Sequence, residues 1–426
     1  MNKRVLRVGG QVIGGVLGIG CLAALWCGPL ADSAVLGADE PPAQRATDLA
    51  APVLVMAGGK PIDVDGYAAP FVGDFDGDGK NDLLVGQYVY GKLRIYRNVG
   101  TNADPRLDGF EWFTVGGLPA CVPAGCYVGF TPQLVDFDGD GRTDVLTGSF
   151  PGVQFLFRRN SDGTFAQAEV LRDKHGEIQF GYPQRHRYNS TVFVYDWDQD
   201  GKRDLLLGRH IYSLVPNEGD RRQPVFGDAV PLEINGVRIP QGIVGPCVAD
   251  WDGDGRDDLI IGQGGDIVWY RNTGEKGRPI LSAPQVLVPD NRGSAFGKEP
   301  VGNEPRRFQA VCVADSNGDG RLDLLVGDTY TAENELPEPT AEQQAKDEKA
   351  AKTRRDCWSE MEVLTATTRS PAATVQEDDQ RWRRLLRTLQ ELAASDPDGR
   401  QVTGARAKRH GRVWMYARTS ASGREP

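Results

Sequence analysis

One nine-residue pattern recurs five times and constrains the fold more than any other feature. It reads DFDGDGKND at 74–82, DFDGDGRTD at 136–144, DWDQDGKRD at 196–204, DWDGDGRDD at 250–258 and DSNGDGRLD at 315–323. Positions 1, 3, 5 and 9 carry oxygen-bearing side chains, position 6 is Gly, and position 7 is Lys or Arg. Alternate side chains of a tightly curled loop converge on one centre when a Gly supplies the sharp turn. Such a ring of oxygens suits a hard cation, because calcium takes six to eight oxygen ligands at about 2.3–2.6 Å.

The spacing therefore assigns five calcium sites of structural character, each with four side chains and the backbone carbonyl of position 7. They are Asp74, Asp76, Asp78, Asp82 and Lys80; Asp136, Asp138, Asp140, Asp144 and Arg142; and Asp196, Asp198, Asp200, Asp204 and Lys202. The last two are Asp250, Asp252, Asp254, Asp258 and Arg256, then Asp315, Asn317, Asp319, Asp323 and Arg321. An EF-hand starts the same way but needs a Glu at position 12, where this chain has Val85, Thr147, Leu207, Ile261 and Val326. Apolar runs flank every loop, with FVGD or CVAD before and LLVG or LIIG after, so each loop joins two β-strands.

The loops start 62, 60, 54 and 65 residues apart, the length of a four-stranded propeller blade with long connectors. A third strand follows each second one with a recurring signature, GKLRIYRN (91–98), VQFLFRRN (153–160) and DIVWYRN (266–272). Fourth strands follow in FAQAEVLRD, PVFGDAVPLEI and SAPQVLVPD. After the fifth loop the composition changes to helix formers, in which Trp382, Leu385, Leu386, Leu389, Leu392 and Ala393 form one helical stripe. The third-strand signature returns only in GRVWMYAR. The fourth strand of that blade is supplied by the N-terminal LAAPVLVMAGG, which closes the ring and removes sheet edges.

The repeats resemble the FG-GAP/VCBS family, the calcium-loop blades of integrin α-subunit-like β-propellers, over Ala51 to Gly327 and the last strand. The expected fold is all-β: a five-bladed β-propeller with calcium-binding inter-strand loops and an inserted α-helical hairpin in the last blade. The expected boundaries are a signal peptide or N-terminal anchor at 1–38 and a propeller at 39–330, with strand 51–57 closing the ring. A helical hairpin at 331–410, a last-blade strand at 411–418 and a disordered tail at 419–426 complete the chain.

The formal charge of −10 comes largely from the loop carboxylates, four in each of four loops and three in the fifth, so it gives no sign of a nucleic-acid partner. Lys3, Arg4 and Arg7 precede an apolar stretch from Val8 to Leu30, which reads as an export signal. The protein is thus expected to be secreted, periplasmic or at the cell surface, with a membrane contact only if that segment is retained. Cys121 and Cys126 are placed for a local disulfide, while Cys247 and Cys312 read as small buried residues.

With four His and no GxSxG, HExxH or P-loop, no catalytic residue is assigned. Planar Arg beside aromatics suits an anionic or sugar ligand, which makes Arg185, His186, Arg187 and Tyr188, with Arg306 and Arg307, a candidate ligand face near the central opening. The chain reads as a binding or scaffold module for a carbohydrate or protein ligand. The alternatives are an extracellular polysaccharide lyase or hydrolase on the same fold, and a propeller that displays its hairpin to a partner.

Overall fold

The computed structural model describes residues 46–125, 129–150, 152–173, 176–178, 190–209, 212–234, 236–240, 245–263, 265–290, 310–333, 340–365, 374–396 and 407–419. The expected signal (1–38), Cys126 and the candidate ligand face from Arg185 to Tyr188 with Arg306 and Arg307 lie outside these residues, as does most of the expected tail.

Five four-stranded antiparallel blades follow one another along the chain. Blade 1 is Ala69–Gly73, Asp82–Gly86, Leu93–Asn98 and Leu107–Trp112; blade 2 is Thr131–Val135, Asp144–Gly148, Phe155–Phe157 and Glu169–Val170. Blade 3 is Ser190–Tyr195, Asp204–Arg209, Ser213–Val215 and Val230–Pro231; blade 4 is Cys247–Ala249, Asp258–Gln263, Asp266–Tyr270 and Gln285–Val288. Blade 5 combines Ala310–Ala314, Asp323–Gly327 and Ala407–Tyr416 with the N-terminal Val53–Leu54.

The apolar core is split into wedges between neighbouring blades, which is why the second strands carry apolar residues on both faces rather than alternating. Leu84 faces blade 2 beside Val145 and Phe155, whereas Leu83 and Val85 face Cys312 and Leu325 of blade 5. Period-2 alternation thus sends successive side chains into two different wedges. The terminal Gly of LLVG has its own reason. A Cβ at Gly86 would lie 1.8 Å from the Phe130 carbonyl, and one at Gly327 would lie 2.0 Å from that of Ala68. The connector into the next blade therefore crosses where only Gly leaves room. Residues of all five blades line the axis through Phe71, Pro132, Val192, Pro246 and Val311, and among the described residues no charged side chain lines that cavity.

The ring closes between the two ends of the described chain, with Val53 opposite Met415 and Leu54 opposite Trp414. The expected strand 51–57 is divided at Val55. Beyond it, Met56–Ala57 turns onto the outer edge of blade 1, where Ala57 pairs in parallel with Leu107. The last-blade strand also starts earlier than Gly411, at Ala407, because Tyr330–Glu333 and Asp63–Asp65 flank its first residues and extend the ladder. Cys247 and Cys312 are buried in inner strands.

Between second and third strands of blade 5 lies the helical insertion, α1 (Ala341–Leu364) and α2 (Val375–Ser395). Each helix starts with a capping box, Thr340 with Gln343 and Thr374 with Glu377, which satisfies the first free N–H groups. The apolar stripe of α2 lands on the wedge between blades 1 and 2. Trp382 meets Phe155 edge-on at 5.4 Å, and Trp358 of α1 stacks on Phe150 at 5.0 Å. Polar contacts pin the edges: Arg172 pairs with Asp379 at 2.6 Å, and the Tyr90 hydroxyl donates to Asp396 at 2.8 Å. The stripe is therefore covered by the propeller's own core. Among the described residues no helix is long and apolar enough to cross a membrane.

Candidate metal centres

All five loops connect an inner strand to a second strand, so antiparallel order places them at one end of the ring, opposite the helical insertion. Each loop winds itself through a ladder of side chain to backbone bonds. The position-3 side chain accepts the N–H of position 5, as in Asp78 N to Asp76 at 3.1 Å and Asp319 N to Asn317 at 2.9 Å. The position-5 carboxylate accepts the N–H of position 7, from 2.8 Å at Arg142 to 3.0 Å at Arg256. The turn is thus held by the loop's own carboxylates, the usual habit of Asp in tight turns. Position 4 requires the left-handed region. Gly fills it in four loops, while Gln199 takes φ 55° in the third.

The oxygens converge. Asp74, Asp76 and Asp78; Asp136, Asp138 and Asp140; Asp196, Asp198 and Asp204; and Asp250, Asp252 and Asp254 each place three carboxylate oxygens within 4.8 Å of one another. Carboxylates packed this closely repel unless a cation intervenes. Two inner oxygens, Asp136 Oδ1 and Asp196 Oδ1, are also buried without a hydrogen-bond partner. A buried acceptor left unpaired costs about 1–3 kcal/mol, and an oxygen-seeking divalent ion would supply the missing partner. These donor sets can hold such an ion. The fifth loop has the same backbone ladder with Asn317 at position 3.

Position 9 does more than its spacing indicates. Asp82, Asp144, Asp204, Asp258 and Asp323 are all buried. Each accepts two backbone N–H groups, one from position 2 of its own loop and one from the end of the third strand. For Asp82 these are Phe75 at 3.2 Å and Asn98 at 2.8 Å; for Asp323 they are Ser316 at 3.2 Å and Arg418 at 2.9 Å. Burial, partly opposed by these N–H groups, pushes the carboxyls of Asp144 and Asp204 up to about 6. Position 9 is therefore a knot between loop and blade as well as a candidate ligand.

The third-strand signature also finds its meaning here. Its Asn caps the turn to the fourth strand: Asn98 Oδ1 accepts from Gly100 and Arg106, and Asn272 Oδ1 from Gly274 and Ile280. Its Arg reaches back to position 3 of the loop. Arg97 lies 2.6 Å from Asp76, Arg158 2.6 Å from Asp138, and Arg271 2.6 Å from Asp252. The position-7 side chains Lys80 and Lys202 pair with Asp78 and Asp200 at 3.0 and 2.9 Å, and Arg142 and Arg256 with Asp140 and Asp254. The signature was visible in the sequence, but its target depends on strand register.

A groove of about 480 Å³ lies beside the first loop, between blades 1 and 2, lined by Arg97, Glu111, Trp112, Thr114, Thr164 and Phe165 among others. Arg97 joins it to the loop, contacting Glu111 at 2.7 Å and Asp76 at 2.6 Å.

Family comparisons agree with this geometry. A model described as FG-GAP-like repeat matches residues 136–207 and 250–326, and one described as FG-GAP repeat matches 66–103. Human (Homo sapiens) cartilage acidic protein 1 is 23% identical over 292 residues, 61% of this chain and 38% of that protein. Integrin alpha-V of Gallus gallus is 26% identical over 295 residues, 60% of this chain and 25% of that protein. The chain thus spans well under half the length of either relative. Among solved structures, a GH43_1 enzyme from Xanthomonas citri has TM-score 0.37 at 14% identity, covering 63% of this chain and 85% of that one. An Agrocybe aegerita lectin that recognises terminal N-acetylglucosamine has TM-score 0.33 at 19% identity, covering 62% and 63%. Likeness at this level bears on neither substrate nor ligand.

Proposed function

The chain carries FG-GAP repeats on a five-bladed propeller, and we propose that it is a secreted, calcium-stabilised binding or scaffold module for a carbohydrate or protein ligand. The observation that carries this reading is the convergence of three carboxylate oxygens in each of four loops, with buried unpaired oxygens at Asp136 and Asp196. Bound calcium would supply positive charge where the carboxylates otherwise repel, so that ion binding becomes folding free energy. Positions 1, 3 and 5 would hold the ion from the loop side, and position 9 would transmit its binding to the third strand through the N–H groups already described.

Export is supported by the basic and apolar start of the chain. Coverage of the α2 stripe argues against display of the hairpin through that face. Of the places a ligand could dock, the groove between blades 1 and 2 offers aromatic edges at Trp112 and Phe165 with Thr114, Thr164 and Glu111 around them. Aromatic groups with nearby hydroxyl and carboxylate groups suit a sugar. Glycan-array binding in calcium and in chelator tests the proposal. Retention of a defined glycan class that is lost in chelator, and weakened by Trp112→Ala, is the expected result. Release of shortened oligosaccharides would overturn it in favour of an enzyme.

A further inference from the structure

Resting on the metal reading above, we propose that the loops form two affinity classes, set by one residue of the third strand. That residue precedes the one whose N–H binds position 9. It is Arg97 in blade 1, Arg158 in blade 2 and Arg271 in blade 4, but Pro216 in blade 3 and Ala417 in blade 5. Each of the three arginines places a guanidinium nitrogen 2.6 Å from the position-3 carboxylate. At Arg97 Nη1 and Arg271 Nε that contact is close without hydrogen-bond alignment, so these groups act as charges more than as fixed donors.

The arginine is a built-in counter-cation. It neutralises one carboxylate when no ion is bound, and it repels a divalent ion that enters the same few ångströms. Loops 1, 2 and 4 set four carboxylates against this arginine, and in loop 2 Arg221 adds a second guanidinium 3.5 Å from Asp136. Loop 5 reaches the same balance by another route, because Asn317 removes one carboxylate and Ala417 adds no cation. Loop 3 combines four carboxylates with a position-3 Asp198 that, among the described residues, no guanidinium pairs with. All five carry a cation at position 7, which leaves the ranking unchanged.

Geometry separates loop 3 independently of charge. It is the loop in which the convergent oxygens include the buried position 9, as Asp196, Asp198 and Asp204, whereas the other three groups use positions 1, 3 and 5. Its Asp196 Oδ1 is buried and unpaired, a feature it shares with Asp136 Oδ1 of loop 2. Loop 3 is therefore the tight site, filled first and emptied last, and the arginine-balanced loops tolerate loss of the ion.

The test is calorimetric titration of the chelator-stripped full chain with calcium chloride, followed by thermal unfolding at each loading. One site should bind at least tenfold more tightly than the rest, and Pro216→Arg should bring it down to the weaker class. Arg271→Gln, at a partly exposed position, should create a second tight site and lower the melting temperature of the stripped protein. Five equivalent sites, or a tight class unmoved by both substitutions in folded protein, would overturn the two-class assignment while leaving the metal reading intact. Absence of any calcium binding would instead remove the metal reading on which it rests.

Discussion

Asp258→Ala is expected to destabilise the propeller by about 2–5 kcal/mol even in chelator, because two buried N–H groups lose their acceptor at about 1–3 kcal/mol each. Asp258 has no exposed surface and accepts from Trp251 at 3.2 Å and Asn272 at 2.7 Å. Burial raises its carboxyl above the ordinary value, so part of the loss is offset by removing a poorly solvated charge. The effect separates the two roles of position 9, since the hydrogen-bond knot acts without metal and the ligand role only with it. Urea unfolding of the stripped variant checks the point. A loss below about 0.5 kcal/mol in chelator, the usual range for a surface change, would mean that Asp258 acts through the ion alone.

Trp382→Ala should cost a similar amount for a different reason, about 3–5 kcal/mol for emptying a large buried aromatic site. Trp382 is 1% exposed and packs with Leu385, Leu386, Phe150, Phe155 and Val115 in the wedge shared by the hairpin and blades 1 and 2. Loss of this anchor should also uncover the wedge and increase binding of a hydrophobic dye. Val363, 58% exposed on α1, is the control, and Val363→Ala should stay within about 0.5 kcal/mol of the parent. If Trp382→Ala behaved like that control, the α2 stripe would face a partner protein rather than the propeller.

The order of strands and the loop ends of the blades are legible because one short pattern repeats at blade length, and repetition reports architecture even when each copy is weak. The all-β class, the five blades and the hairpin within the last one follow from that repetition and from the delayed return of GRVWMYAR. The helical stripe from Trp382 to Ala393 was equally plain, yet its landing place was not. It leaves the chain in blade 5 and packs on Phe150 and Phe155, more than two hundred residues earlier, and helical periodicity names a buried face without naming its cover.

The same distinction holds at the loops. Positions 1, 3 and 5 announce convergent oxygens by spacing alone, because a local turn brings them together. The double N–H grip of Asp82 and its equivalents, and the reach of Arg97 to Asp76, require a third strand lying beside the loop. The recurrence of an Arg near the end of that strand, at Arg97, Arg158 and Arg271, is the available sign. The candidate ligand face at Arg185–Tyr188, Arg306 and Arg307 lies outside the described residues, whereas the groove at Trp112 and Phe165 combines residues of two blades that no local pattern joins.

Elemental analysis of the folded, dialysed protein addresses the loops most directly, since five like donor sets imply about five calcium ions per chain. Removing those ions should lower the melting temperature, because ligation that exists only in the fold contributes to its stability. A count near five with a chelator-sensitive melting temperature is the expected outcome; no bound ion, with melting indifferent to chelator, would contradict it.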